Sequence, residues 1–564
     1  MTTPLTLPAK PDLGHLKRQA KELLREVRAQ QGEALQIIVI FHPRPGEFSG
    51  LRDAQLALAR RYGFADWNHL RDEVELRQLR SGTTAEQAER FIDHACLRYN
   101  GDDQDWRYRH ASVWLRQLPG LVHSDFYCAL VAADLESVRD FLRRDPTLAQ
   151  RNGGPRNWPP LLYVTYSRVE QNPEQAVAVA KALLEAGASP DSHTDNPSGF
   201  TAVTGAIGEG ERGPIACVPH LRAEELVKLL LDAGANPNQS QALYNTMLGA
   251  HLDKWLPIFV QYGLKTGERA NWNPDDLEPI FDFLLSHVVA QGRLNLVRYL
   301  LEQGANANAV SRYSHRSAHA TAQLTARTDI VELLERYGAK PEPLSVEDQF
   351  RGACHGHDQE TAARLLLEHS RLLRDNDLFC DCAMVDVETC LWLVRQGFDI
   401  NARDHSGQTV LHKYSLWNMP DAVATLLQHA ADPEAMENNW HATALGMALH
   451  HHHWPVVEVL LPISNNLFDV CRMASTERAQ ALLSRDPVLV QQRTPMGNSA
   501  LHVVSQAKQD DADFDASVAT IELLLQYGAD PQARNNEGKT PAQWYRQFGM
   551  DELADYMARR SGAD

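Results

Sequence analysis

Gly397-Phe398-Asp399-Ile400-Asn401-Ala402-Arg403-Asp404-His405-Ser406-Gly407-Gln408-Thr409-Val410-Leu411-His412 is the stretch from which the fold can be read. The first Gly follows Leu391-Trp392-Leu393-Val394-Arg395-Gln396, so it ends a helix in the left-handed conformation that glycine adopts at little cost. Thr409 is placed to cap the next helix, because its hydroxyl can accept an orphan N–H of the first turn. Between the two signals lies a short polar tip with its own Gly. The unit is therefore helix, tip, helix.

The unit recurs. The leucine pair followed by Gly returns as Leu183-Leu184-Glu185-Ala186-Gly187-Ala188, Leu229-Leu230-Leu231-Asp232-Ala233-Gly234-Ala235-Asn236, Leu300-Leu301-Glu302-Gln303-Gly304-Ala305-Asn306 and Leu523-Leu524-Leu525-Gln526-Tyr527-Gly528-Ala529-Asp530. Gly304 and Gly338 are 34 residues apart, and Gly397 and Ala430 are 33 apart. The second phrase returns as Gly497-Asn498-Ser499-Ala500-Leu501-His502 and as Gly538-Lys539-Thr540-Pro541-Ala542, where Pro at the first helical position gives up no needed N–H. Val456-Val457-Glu458-Val459-Leu460-Leu461 reads as the buried face of a short helix.

These residues resemble the ankyrin repeat, a helix pair with a β-hairpin turn recurring about every 33 residues. The resemblance covers residues 124–564, with about twelve units and a C-terminal cap, and implies an all-α ankyrin-repeat solenoid with short β-hairpin turns. Unit 430–445 carries one extra residue at its tip, and Gly208-Glu209-Gly210-Glu211-Arg212-Gly213-Pro214 begins an insertion. Residues 1–80 do not repeat. Leu13, Leu16, Ala20, Leu23, Leu24 and Val27 line one helical face, with Lys17, Arg18, Lys21, Arg25 and Arg28 on the others. Further helices fit 52–61 and 67–79. This part resembles a helical module that precedes ankyrin arrays in bacterial proteins, which implies a bacterial origin. Residues 81–123 read as a degenerate helical linker between module and array.

The net charge is −18. Residues 1–80 hold 13 Lys/Arg against 10 Asp/Glu, so the acidity lies in the rest of the chain. That balance argues against nucleic acid, whose phosphates need cations, and against anionic membranes. No apolar run reaches the roughly 18–20 residues of a membrane span, and no signal core opens the chain. Eight Cys are too sparse for a disulfide framework, so a cytoplasmic location is expected.

The repeats need no catalytic residue, and no nucleophile elbow, phosphate loop or zincin motif is present. No cofactor and no metal are expected. His450-His451-His452-His453 resembles a metal tract, but adjacent helical residues diverge by about 100° and chelate one ion poorly. Cys354, Cys380, Cys382 and Cys390 read as buried thiols, since Cys380 and Cys382 are spaced too closely for a zinc knuckle.

The resemblance implies recognition of a protein partner through hairpin tips and inner-helix faces, which form the concave groove in that family. The matching positions are Lys413, Leu416, Trp417, Trp440, His441, Met447, His450 and His451. The acidic body favours a partner with a basic patch. The alternative is an enzyme or small-ligand pocket around the 207–275 insertion, lined by Glu209, Glu211, Arg212, Tyr244, Asn245 and Trp272.

Overall fold

The computed structural model describes residues 4–8, 10–48, 50–100, 103, 105–169, 172–195, 200–210, 217–249, 251–270, 278–506, 514–548 and 550–561. Glu211, Arg212 and Trp272 lie outside the described residues. The chain forms two compact units, Met1–Ala322 with Arg327–Glu342, and Gln323–Ala326 with Pro343–Asp564. Both are helical, and the β-structure among the described residues consists of isolated bridges such as Val310 with Ser317.

The first unit opens with α1 (Leu13–Arg28), α2 (Gly32–Phe41), α3 (Leu51–Arg61) and α4 (Trp67–Arg80). Asp12 caps α1 by accepting the His15 N–H at 2.5 Å. Leu16, Ala20, Leu23, Leu24 and Val27 of α1 are buried, as their 3–4 spacing requires. The apolar run 34–41 is α2, which buries Ala34, Ile37 and Ile38 against α1 and α3 and leaves Val39 and Ile40 outside. Next come α5 (Thr84–Ala95) and α6 (Asp105–Gln117). His110 of α6 is clamped between two carboxylates of α4, Asp72 at 2.9 Å and Glu75 at 2.9 Å.

Helix pairs then follow, beginning with Phe126–Val131 and Leu135–Arg144, then Pro160–Thr165 and Pro173–Glu185, then Ala202–Ile207 and Ala223–Asp232. The segment between α5 and α6 lies along the ends of two first members of these pairs. Leu97 N donates to Tyr166 O at 2.9 Å, and the Tyr99 hydroxyl donates to Thr204 O at 2.7 Å. Arg168 is buried, and among the described residues its hydrogen bonds include no carboxylate. Its guanidinium instead donates to the carbonyls of Thr165, Ser167, Gly205 and Val218, which helix ends and the returning insertion would otherwise leave orphaned.

The second unit repeats the same pair seven times, from Val346–His355 with Gln359–Glu368 to Pro541–Gln547 with Asp551–Arg560. Its core is a row of apolar residues from successive pairs, because no single pair can bury its own face. Consecutive tips are tied to each other, Asn438 N donating to Ser406 O at 2.9 Å and Asn536 N to Met496 O at 3.0 Å. Gly407 has φ +80, and a Cβ there would lie 2.5 Å from Asn438 Oδ1. The tip therefore needs glycine for both backbone and space. Cys354, Cys380, Cys382 and Cys390 are all buried thiols. Burial pushes Cys380 and Cys390 up to about 12.

Candidate functional site

Thr409 and His412 begin the construction of the face that carries Trp417 and Trp440. The Thr409 N–H donates to His412 Nδ1 at 3.2 Å, and the Thr409 hydroxyl lies 2.9 Å from the same nitrogen. With Nδ1 accepting, Nε2 carries the proton and donates to Ala442 O of the next repeat at 3.2 Å. The same lock recurs with Ser499, His502 and Lys539 O. These histidines are fully buried, and burial first, against their carbonyl partners, pulls both below the ordinary imidazole range.

The tips are set by one acceptor each. Asp404 Oδ1 accepts from Ser406 N at 3.0 Å and Gln408 N at 2.9 Å. Asn535 Oδ1 accepts likewise from Glu537 N and Lys539 N. The tip of 437–442 is one residue longer, and the acceptor is one methylene longer. Glu437 takes Asn439 N at 2.7 Å, Trp440 N at 2.5 Å and Ala442 N at 3.2 Å. Burial alone would raise this carboxyl, but those three N–H groups hold it below its ordinary value. With its backbone held there, Trp440 projects outward and is 71% exposed.

From Trp440 a ribbon of rings runs to the preceding repeat. The Trp440 ring lies 6.5 Å from His450, His450 lies 5.0 Å from His451, and His451 lies 5.6 Å from His453. His453 Nδ1 meets Ser415 O at 3.0 Å, two residues before Trp417. Trp417 follows helix Val410–Leu416 and is 72% exposed. Met419 and Met436 are also exposed. Lys413 is half-buried, its ammonium 2.9 Å from Asp404. Leu416 is half-buried, while His441, His450 and His451 are exposed.

Met447 is the exception among the expected groove residues. It is 3% exposed, in a helix whose residues 444–449 are all buried. Glu437 escaped the sequence reading, and His453 entered it only within the 450–453 tract. The signal for Glu437 was its register, at the place that Asp404 and Asn535 hold in other tips.

The segment that builds this face is acidic when all its sides are counted together. Between residues 375 and 470 stand thirteen carboxylates against three cations, Arg395, Arg403 and Lys413. Two of the three are engaged locally, Lys413 by Asp404 and Arg403 through a bond from Nε to Gly407 O at 3.0 Å.

The residues named for a small-ligand pocket lie in a different setting. Glu209 and Asn245 are each 2% exposed. Glu209 has φ +60, its Oε1 is 3.0 Å from His251, and burial raises its carboxyl. Among the described residues, Glu209 Oε2 and Asn245 Nδ2 are buried without a hydrogen-bond partner. Tyr244 is half-buried.

Residues 378–470 match the family model for ankyrin repeats in three copies, and residues 496–536 match the ankyrin repeat model. The chain therefore carries ankyrin repeats. It is similar to the putative ankyrin repeat protein YahD of Escherichia coli, 26% identical over 182 residues, which is 30% of this chain and 87% of that protein. It is also similar to the human ARF GTPase-activating protein GIT2, 36% identical over 95 residues, or 17% of this chain. The chain spans 12% of the length of that relative. Among solved structures, a predatory endopeptidase from Bdellovibrio bacteriovorus in complex with an immunity protein aligns at 18% identity and a TM-score of 0.22. That alignment covers 39% of this chain and 100% of the other. Among the described residues, no helix is long and apolar enough to cross a membrane.

Proposed function

We propose, on the premise that residues 378–470 and 496–536 carry ankyrin repeats, that this chain is a non-enzymatic scaffold recognising another protein. The partner binds the inner-helix and tip face of residues 375–470. Trp417 and Trp440 serve as anchors, and His441, His450 and His451 lie beside them. The observation that carries the reading is the pair of exposed indoles, one held out by the buried carboxylate of Glu437. Exposed Trp side chains are typical interface anchors, since they bury large area at small entropic cost. The excess of carboxylates calls for a partner with a basic patch, whose cations find both charge and indole faces. In the first unit, the α5–α6 segment already lies along two inner-helix ends, which favours the second unit as the recognition surface.

The test is capture of partners from source-cell lysate on the tagged full chain, read by mass spectrometry. One protein recovered near stoichiometrically, and lost with Trp417→Ala and Trp440→Ala, supports the reading. Undiminished recovery on the double variant refutes the assignment of the face. A second reading, an enzyme or small-ligand site in the 207–275 region, draws on Glu209 Oε2 and Asn245 Nδ2, which have no hydrogen-bond partner among the described residues. A metabolite that raises the melting temperature of the wild type, but not of Asn245→Ala, would support it.

A further inference from the structure

Two of the buried thiols meet across a repeat boundary in the second unit. Helices Val346–His355 and Asn376–Cys382 are the first members of its first two pairs. Phe350 and Phe379 both pack on Phe398, with ring centroids 6.1 and 5.2 Å away, which sets the two helices in register. Arg351 of the first helix reaches Asp381 of the second at 3.3 Å. Cys354 lies one turn beyond Phe350, and Cys382 one turn beyond Phe379, so both stand on the faces that the helices turn to each other. There the two thiols hydrogen-bond each other.

The pair is asymmetric. Cys382 is fully buried, and its bond with Cys354, reinforced by burial, raises it far above the ordinary thiol range. Cys382 therefore keeps its proton and offers it to the sulfur of Cys354. Cys354 lies further out. With His357, Asp358, Thr389 and Trp392 it lines a small cleft that has room for a water-sized molecule. The neighbouring Cys380 is arranged differently, its thiol pointing to the carbonyls of Ala402 at 3.7 Å and Gln408 at 3.8 Å. A buried thiol held in that way is inert, whereas a thiol beside a second thiol has somewhere to go on oxidation.

We propose that Cys354 and Cys382 are a redox pair, oxidised through the cleft by hydrogen peroxide and closed into a reversible disulfide that clamps two neighbouring repeats. In the first step the sulfur of Cys354 attacks one peroxide oxygen. An S–O bond forms, the O–O bond breaks, and the leaving hydroxide takes the Cys354 proton and departs as water. In the second step the sulfur of Cys382 displaces the hydroxyl of the Cys354 sulfenic acid. The S–S bond forms, the S–O bond breaks, and the Cys382 proton leaves in a second water. The two sulfurs give up two electrons and the peroxide accepts both. Hydrogen peroxide is little larger than water and fits the cleft, which a bulky disulfide reagent does not. The link joins positions 28 residues apart in sequence, so it restricts the unfolded chain and stabilises the folded one.

The experiment titrates the reduced full chain with hydrogen peroxide. Alkylation in denaturant and intact mass count the free thiols, and proteolysis without reduction maps the link. Oxidation of the exposed Met419 and Met436 to sulfoxide measures the dose. Two of the eight thiols are expected to disappear before those methionines react, with one peptide pair joining Cys354 to Cys382 and full recovery in dithiothreitol. The linked form is expected to melt several degrees above the reduced one. Cys382→Ser is expected to stop at a sulfenic acid on Cys354, trapped by dimedone, and Cys354→Ser to leave Cys382 reduced. Eight thiols that outlast both methionines overturn the proposal. So does a link that includes any other cysteine, or a linked form that melts no higher than the reduced one. Thiol count, map and melting are read on the wild type, so a serine variant that fails to fold does not remove the test.

Discussion

Replacing His412 by Ala removes the lock between two adjacent repeats, and the structure sets the size of the loss. The imidazole is fully buried, and it joins Thr409 N at 3.2 Å to Ala442 O at 3.2 Å across the repeat boundary. Truncation deletes a buried ring, for which large-to-Ala changes cost about 3–5 kcal/mol when the site does not collapse. It also leaves the Thr409 N–H and the Ala442 carbonyl without that partner, at about 1–3 kcal/mol for each group that water does not reach. The two effects overlap, since a cavity that admits water relieves the second, so the expected cost is about 3–4 kcal/mol. Urea titration followed by circular dichroism and Trp fluorescence reads it, with His450→Ala as an exposed control expected within about 0.5 kcal/mol of wild type. A lesion between neighbours also weakens their coupling, so the transition is expected to broaden. The effect depends on pH with a definite sign. Burial lowers the His412 imidazole in the folded state, so the unfolded chain binds more protons below about pH 6.5. The lock's stabilisation is present above that value and declines as the pH falls, and the gap between wild type and His412→Ala narrows on acidification. A cost under about 1 kcal/mol, or a gap that widens in acid, would refute the reasoning.

His110 titrates in the opposite sense. Burial lowers it, but Asp72 and Glu75 together overcome that and raise it to about 9. Its contribution is complete below about pH 6.5 and is lost as the pH rises through about 9, and thermal melting of His110→Gln should lack that alkaline decline. Glu437→Ala leaves three tip N–H groups without their shared acceptor. It is expected to cost about 2 kcal/mol in urea titration and to reduce partner capture as Trp440→Ala does. Unchanged capture would show that the Trp440 indole needs no such support. Gly407→Ala puts a Cβ 2.5 Å from Asn438 Oδ1 at φ +80 and is expected to cost about 1–2 kcal/mol in the same titration. Trp417→Ala and Trp440→Ala should leave stability within about 0.5 kcal/mol of wild type, because side chains this exposed pack little.

What the sequence made legible is what short-range rules determine. The period of 33–34 residues, the left-handed Gly at helix ends and the Thr cap each act over a few residues, and together they announce repeated helix pairs. Even the substitute signals could be read. His452 takes the position of the usual Gly after an inner helix, and it has φ +56. Residues whose role depends on a neighbour in space stayed hidden. The run 34–41 could be judged too short for a membrane, but nothing in it tells that Ile37 and Ile38 face inward while Val39 and Ile40 do not. Arg168 gives no local sign that its partners are four carbonyls from three segments.

The face proposed for recognition shows the same division in a single tip. That residues 430–445 hold one residue more than their counterparts is visible in the sequence, and so is a Trp near the turn. What turns the extra residue into an exposed indole is the pairing of a longer tip with a longer acid. Asp404 closes a tip through the N–H groups two and four residues on, and Glu437 closes its own through those two, three and five residues on. The indole is thus held out by a buried carboxylate and not by its own packing. Recognition and stability can therefore be altered separately here. Removing the indole should touch only binding, whereas removing the carboxylate should touch both. The comparison of Trp440→Ala with Glu437→Ala by urea titration and by partner capture measures that separation, and equal stability loss in the two variants would show that the indole packs after all.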